Sequence, residues 1–482
     1  MKRPFLISAV LGTGLVTAAF YCRSVILAAV FILFLLSFEV IVKKKIRGIS
    51  ILLLVSIIIS FSLIINFSDI NRIEKLKNTV ITEDFIINEE PYCYVGGFSV
   101  SATCLSSNVL RKGDKIELCY SEGDIYIGDT VTVNFKMESI KHSRYMRSNY
   151  SRGIYAMGNV LSFSSVETDN SLLSFVPKLK KNVKTVLLNN MSYENQSFVS
   201  ALIIGDKYDI DKSFDEKVKA SGTSHILVVS GMHLVILLGG IKTILERFLY
   251  NKYVFFIISL IFVFAFSAVC GFTMSVIRAG VTYLFLSLAP LFNRDSDPLN
   301  TLGVAVTTVI MFSPFAIFSV SFQLSVLSTY GILALAPYLT DKILMFIKID
   351  SKIFTALIQG ACVTFSATVL TAPITIYYFG FISIVGVVTN LLVTYAVTGV
   401  LLITALGIVA SFILGSGYIC RVIFAINNIL TDYTTFVIDF FGDFKLSTIP
   451  VPKWFVIVFL IAAGSFLLLA KLSYLINKKK AL

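Results

Sequence analysis

Three long apolar runs open the chain, at residues 4–22, 24–42 and 49–67. Each approaches the roughly 20 helical residues that cross a bilayer's hydrocarbon, so each is expected to span. Thr17-Ala18-Ala19 is a poor cleavage site and two further runs follow it, so residues 4–22 read as a retained helix, not a removed signal peptide. From residue 68 the pattern changes. Thr130-Val-Thr-Val-Asn-Phe135 alternates polar and apolar after Gly128-Asp129, and Lys115-Ile-Glu-Leu-Cys119 alternates after Lys112-Gly113-Asp114. Period-two alternation behind turn residues predicts half-buried strands. The segment 68–175 is long enough for a small β-domain with its own core. A five-stranded barrel fits its length, and so does an open sandwich.

Helical periodicity returns at 176–224. Lys178, Lys180, Lys181 and Lys184 interleave with Leu179, Val183 and Leu187 behind Pro177, the pattern of an amphipathic helix on a membrane surface. The rest is nearly all apolar. Expected spans are 225–241, 254–270, 275–292, 299–312, 322–339, 354–374, 418–440 and 454–476, with one crossing plus a half-helix or surface helix within 381–414. Residues 313–321, holding Pro314 and no charge, fit a re-entrant segment, which is tolerated only where it is buried in protein or lines a cavity. The fold class is therefore a polytopic α-helical membrane protein of about 11–12 spans, some re-entrant, with a small β-domain inserted after the third.

Composition agrees. Of 482 residues, 56% are hydrophobic and 15% charged, and mean hydropathy is +0.84. A soluble enzyme, a disordered chain and a disulfide scaffold are excluded. The net charge of +12 is dispersed: residues 1–67 hold seven basic side chains against one acid, whereas 68–175 hold eleven against fourteen. Lys43–Lys45 with Arg47, then Lys342, Lys348 and Lys352, then Lys478–Lys480 mark cytoplasmic loops and a cytoplasmic C-terminus by the positive-inside rule. Alternating crossings make both termini cytoplasmic and 68–224 extracytoplasmic. Three of seven cysteines, Cys93, Cys104 and Cys119, fall in that outer segment; Cys93–Cys104 is one candidate disulfide, and free or buried thiols are the alternative.

Polar side chains stand out where the chain is greasiest. His225, Ser230 and His233 ride at the start of an expected helix, Arg278 lies inside a span, and Gln323, Ser325 and Asn390 sit in others. Ionisable groups in spans are costly and usually face a bundle interior or water, so these are candidates for lining a polar path. The plainer readings are neutral imidazoles bonded to carbonyls, a snorkelling arginine, and interhelical hydrogen bonds. One metal ion cannot bridge His225 and His233, which stand about 12 Å apart along a continuous helix. With three histidines in all, no Gly-Lys dipeptide and no nucleophile elbow, the sequence offers no catalytic residue, metal site, P-loop or cofactor site. The expectation is a protein that is not an enzyme. In the β-segment Lys136, Lys141, Arg144, Arg147 and Arg152 interleave with Tyr145, Tyr150 and Tyr155. That is the single-strand-binding recipe, and it is also what a solvated surface looks like.

The run from Ala201-Leu-Ile-Ile-Gly205-Asp206 to Ser221-Gly222-Thr-Ser224-His225-Ile-Leu-Val-Val-Ser230-Gly231-Met-His233-Leu234 resembles the ComEC-type competence protein family. Gly271 with Arg278-Ala279, Asn300, Ser321-Phe-Gln323-Leu-Ser325, Pro373, Phe379-Gly380 and Asn390 resemble its later motifs, and Arg144 through Ile154 resembles the end of its outer OB-like domain. The resemblance implies four regions: N-terminal helices at 1–67, an extracytoplasmic OB-like domain at 68–175, interfacial helices at 176–224, and a channel domain at 225–482. It implies passage of single-stranded DNA across the cytoplasmic membrane during natural transformation. Expected partners are membrane lipids, a DNA-receptor protein on the outer face, and a cytoplasmic ATPase or single-strand-binding proteins. Relatives carry a metallo-β-lactamase-like domain that the residues up to Leu482 do not, so any nuclease is expected to be separate. Two readings compete: a secondary transporter of a small anionic solute, and a membrane scaffold whose outer domain binds a ligand.

Overall fold

A computed structural model describes residues 4–22, 46–89, 91–94, 97–105, 109–121, 125, 129–140, 146–168, 172–207, 209–247, 251–293, 296–347, 351–415, 417–444 and 446–456. The chain divides into two units. One comprises Met1–Ile210, His225–Val326 and Ala396–Asp432; the other comprises Asp211–Ser224, Leu327–Tyr395 and Tyr433–Leu482.

In the first unit, helices α1 (Pro4–Cys22) and α2 (Ile46–Glu74) lead into a small β-domain. Its strands are β1 (Val80–Ile87), β2 (Tyr92–Tyr94), β3 (Gly97–Cys104), β4 (Lys115–Tyr120), β5 (Asp129–Ser139) and β6 (Ile154–Thr168), with a short helix α3 (Met146–Ser151) before β6. Along β5 the residues Val131, Val133, Phe135 and Met137 point inward and Lys136 and Glu138 outward, as period-two alternation requires. Sheet order is β1-β5-β6-β4-β3-β2, and β1 also pairs with β3, so β1, β3, β4, β5 and β6 each have two or more paired neighbours. All pairs are antiparallel except β4 with β6, which run parallel from Ile116↔Ala156 to Cys119↔Asn159. Phe85 and Phe135 meet edge to face at 5.4 Å in the interior. Of the candidate disulfide, Cys104 is buried, and the side chain of Cys93 lies outside the described residues.

The β-domain is packed onto the helices rather than tethered to them. Phe315, 1% exposed, meets Tyr150 of α3 at 5.8 Å, Phe20 of α1 at 5.9 Å and Phe67 of α2 at 5.7 Å. Phe315 belongs to a buried 3-10 turn, Pro314–Phe318, the segment expected to be re-entrant. Tyr155 of β6 donates its hydroxyl to the Asn66 side-chain oxygen of α2. Amphipathic α4 (Leu172–Asn190) and α5 (Tyr193–Ile203) follow, and then α7 (Ser224–Leu227), α8 (Gly231–Leu245), α9 (Lys252–Val269), α10 (Met274–Leu288) and α11 (Pro298–Phe312). Asn300 of α11 accepts from the Phe5 backbone at 3.2 Å.

The second unit holds α6 (Lys212–Ala220), α13 (Ala336–Ile347), α14 (Lys352–Phe379) and the strand pair β7 (Phe381–Ser383) with β8 (Thr448–Pro450). Lys217 on α6 binds Asp443 at 2.9 Å and Asp439 at 3.2 Å. Three further helices begin in one unit's residues and end in the other's: α12 (Val320–Ala334), α15 (Gly386–Leu414) and α16 (Tyr418–Gly442).

Six described stretches are long and apolar enough to cross a membrane: Val55–Glu74, Lys252–Val269, Met274–Phe292, Val320–Phe346, Lys352–Phe379 and Gly386–Leu414. Phe5–Thr17, Gly231–Leu245 and Pro298–Phe312 are shorter apolar helices. The chain is a multi-pass membrane protein. The expected spans at 24–42 and, past residue 456, 454–476 lie outside the described residues.

Two sequence expectations are corrected, and a third holds with a break in it. Residues 381–414 hold the one expected crossing but neither a half-helix nor a surface helix beside it; they are β7 followed by one continuous helix of 29 residues. No proline interrupts α15, and its length of about 44 Å exceeds the ~30 Å hydrocarbon, which a tilted helix accommodates. The span expected at 322–339 lies within the apolar stretch Val320–Phe346; a one-residue break at Leu335 separates α12 from α13, and Pro337 falls in the first turn of α13, where its missing N–H costs nothing. The helix expected to begin at His225 begins at Gly231, because Ser230 caps it.

Candidate functional site

The Ser-Gly-x-His motif is a helix start. The Ser230 hydroxyl accepts from the Met232 backbone N–H at 3.2 Å, and the Ser230 backbone N–H donates to His233 Nδ1 at 3.2 Å. This is a reciprocal capping box with histidine in the place usually held by Glu or Gln. Because Nδ1 accepts, the imidazole hydrogen lies on Nε2. His233 is 0% exposed and its Nε2 has no hydrogen-bond partner among the described residues. His225 instead sits on the separate turn α7, where it is exposed.

Gly231 brings this helix start onto α10. A Cβ at Gly231 would collide with the Ala279 methyl and stand 3.5 Å from Arg278 Nη2 and 3.6 Å from the Ser275 carbonyl. Arg278 is 5% exposed, and its Nε donates to Ser325 Oγ at 3.0 Å. Ser275 Oγ lies 3.1 Å from the same hydroxyl. Among the described residues no carboxylate forms an ion pair with Arg278. A guanidinium therefore sits inside apolar helices beside the N-terminus of α8, whose dipole adds partial positive charge. Among the described residues that pairing has no counter-charge, an arrangement that suits an anion.

Gln323 is nearby in sequence but spent otherwise: its Nε2 donates to Ile317 O at 2.7 Å, which pins the Pro314–Phe318 turn to α12. Gly205, at φ +75, ends the α5 segment, and a Cβ there would stand 3.3 Å from Val229, two residues past α7. The next residue, Asp206, receives Lys184 Nζ at 2.8 Å, and Asp209 receives it at 2.7 Å. Burial alone would lower the Lys184 pKa; the two carboxylate hydrogen bonds outweigh it and hold it above the ordinary lysine value.

In the second unit Gly222, at φ +77, packs on the start of α15: a Cβ would lie 2.9 Å from both Gly386 Cα and Ser383 Oγ. Ser383 Oγ also donates to Ala220 O at 2.8 Å. Ser224 is exposed, and Asn390 is buried with its Oδ1 unpartnered among the described residues. On the β-domain, Lys136 points outward from β5, Arg147 lies on α3, and Arg152 pairs with Glu89. Lys141, Arg144 and Tyr145 lie outside the described residues. Among the described residues no three His, Cys, Asp or Glu side chains are grouped to hold a metal.

Residues 202–475 match the model of the Competence protein family. The chain belongs to the Competence family. It is 24% identical over 310 residues to ComE operon protein 3 of Bacillus subtilis, covering 61% of this chain and 38% of that protein. It is 22% identical over 184 residues to Recombination protein 2 of Haemophilus influenzae, covering 36% and 22%. It is 27% identical over 171 residues to an uncharacterized MG316 homolog of Mycoplasma pneumoniae, covering 35% and 40%. The chain thus spans two fifths or less of these relatives' lengths. No solved structure matches it. The Competence match begins inside α5 and takes in the α8 cap, Arg278, Gln323 and Asn390.

Sequence reasoning missed Ser275, Lys184, Asp209, Ser383 and Gly386. Each is an ordinary residue where it stands, Asp209 in the turn between α5 and α6. Lys184 and Asp206 stand 22 residues apart across two helices, and nothing local links them.

Proposed function

We propose that this Competence-family chain is a channel that passes one DNA strand across the cytoplasmic membrane, and that its β-domain is an OB-like module receiving the strand on the outer face. The observation that carries this reading is Arg278, a buried cation without a carboxylate partner among the described residues, set against the α8 N-terminus. Keeping such a charge among apolar helices is costly, and it serves a purpose if a polyanion passes it. The closed circuit of β1, β3, β4, β6 and β5, with one parallel pair, supports the OB-like reading of the outer module. Lys136, Arg147 and Arg152 would then meet phosphates there.

Each phosphate entering an inside-negative cell works against about 2.3 kcal/mol per 100 mV. A cytoplasmic ATPase or single-strand-binding proteins must therefore rectify the movement, with a DNA receptor outside and any nuclease supplied separately. The test is uptake of labelled DNA by cells carrying Arg278→Ala, Arg278→Lys or His233→Ala, with membrane abundance measured alongside. Arg278→Ala should lower uptake by about tenfold or more, equivalent to ~1.4 kcal/mol at the rate-limiting step. Arg278→Lys should lower it less, and His233→Ala should lower it at unchanged abundance. Uptake that stays normal in Arg278→Ala cells sinks the channel reading of this site.

A further inference from the structure

One face of α2 changes chemistry along its length. Ile64, Phe67, Ser68, Asn71, Arg72 and, just past the helix end, Lys75 recur at three- and four-residue spacing, so they form a single stripe. The stripe passes from apolar through hydroxyl and amide to cationic over about 16 Å. It forms one wall of an open groove of about 580 Å³, and Arg111, from the turn before β4, stands on the other side.

The charges are arranged rather than scattered. Arg72 binds Asp114 at 2.7 Å and Asp69 at 3.5 Å, and Arg111 binds Asp69 at 3.3 Å. Three cations, Arg72, Lys75 and Arg111, face two carboxylates, which leaves one positive charge. Arg72 Nε is buried without a hydrogen-bond partner among the described residues.

We infer that this groove holds one anionic phospholipid, its phosphate at Arg72, Lys75 and Arg111 and its acyl chain along Ile64 and Phe67. Three observations favour a lipid. The stripe ends the candidate span Val55–Glu74, where hydrocarbon gives way to headgroups. The surplus of one positive charge matches a single phosphodiester. The apolar half of the wall offers nothing to a free phosphate, and the Phe67 ring, already set edge-on against Phe315, is no open platform for stacking a base.

The full chain would be purified in mild detergent and its retained lipid measured by native mass spectrometry, then titrated with phosphatidylglycerol. Two variants keep Arg72 and its partner Asp114 intact: the double change Lys75→Ala with Arg111→Ala, and Ile64→Asn. Each basic residue near an anionic lipid contributes roughly fivefold in affinity, so the double variant should retain lipid about 30-fold more weakly. Ile64→Asn should weaken retention with the charges unchanged. Millimolar inorganic phosphate and a single-stranded oligonucleotide should both leave the lipid in place. Retention unchanged in both variants overturns the assignment. Displacement by inorganic phosphate overturns it in favour of a bare phosphate site, and displacement by the oligonucleotide in favour of a DNA contact.

Discussion

The β-domain and helix α16 are sorted in opposite senses. In the β-domain Phe85, Ile116, Leu118, Val133 and Phe135 are sealed inside, and the alternate positions carry Lys136 and Glu138 outward. Along α16 the buried seam runs through Phe424, Asn427 and Thr431, while Ile426, Ile429 and Phe436 are exposed, Ile429 to 69%. A core built against water hides its apolar atoms. Residues 418–440 of α16 are an expected span, and a helix set against lipid would gain nothing by hiding apolar atoms and would turn its hydrogen-bonding side chains toward other helices. Burial alone therefore does not define a core in this molecule; what each buried side chain does depends on the solvent its region was sorted against.

The largest test of that contrast is Phe135→Ala. Phe135 is fully buried and packs edge to face on Phe85. Removing a buried phenyl ring from a water-sorted core costs about 3–5 kcal/mol. Limited proteolysis should then cut the β-domain at protease levels that spare the unaltered chain. Resistance equal to the unaltered chain would mean that the β-domain's order comes from its seat on α1, α2 and the Pro314–Phe318 turn, not from its own interior.

The same contrast explains what was legible in the sequence. The strands at 115–119 and 130–135 could be read because alternation is a local signal, and the observed β4 and β5 extend it by a few residues. The apolar runs could be read because length and composition suffice. The ends of elements were less legible. Ser230 looked like one polar residue among several in a helix, whereas its hydroxyl and the His233 ring together make the cap that starts α8. Gln323 and Arg278 looked alike as polar intruders. The fold separates them, giving Gln323 a backbone carbonyl to hold and leaving Arg278 a single serine. Arg278 meets Ser325 across 47 residues, and even the Ser230–His233 and Gln323–Ile317 contacts, three and six residues apart, depend on side-chain geometry that no periodicity records.

A smaller effect separates two glycines of one helix. At Gly231 a methyl would strike Ala279, whereas at Gly239 it would meet nothing within 4 Å. Gly231→Ala should therefore cost about 1–3 kcal/mol through overpacking between α8 and α10. Gly239→Ala should be neutral, or stabilising by up to ~1 kcal/mol through helix propensity. Melting of the detergent-solubilised variants measures both. Equal responses would show that α8 and α10 are not held at the close approach that sets Arg278 beside the helix start.

The smallest effect is expected at Asn427, and it tests the other side of the contrast most directly. Its Nδ2 donates to Thr404 Oγ1 at 2.9 Å and weakly to Met191 Sδ at 4.0 Å, and its Oδ1 is buried without a partner among the described residues. The Thr404 hydroxyl already donates to Val400 O at 2.6 Å, so it does not depend on Asn427. Asn427→Leu therefore removes one ordinary hydrogen bond, one weak contact to a thioether and one orphaned oxygen, and leaves no costly unsatisfied group. Polar contacts between membrane helices average about 0.6 kcal/mol, so the melting temperature should hardly move. A loss as large as that of Phe135→Ala would mean that the polar seam is this region's true core, and the contrast would fail. Unchanged melting together with reduced DNA uptake would mean that the asparagine is kept for what passes it, because stability alone gives no reason to prefer it over leucine.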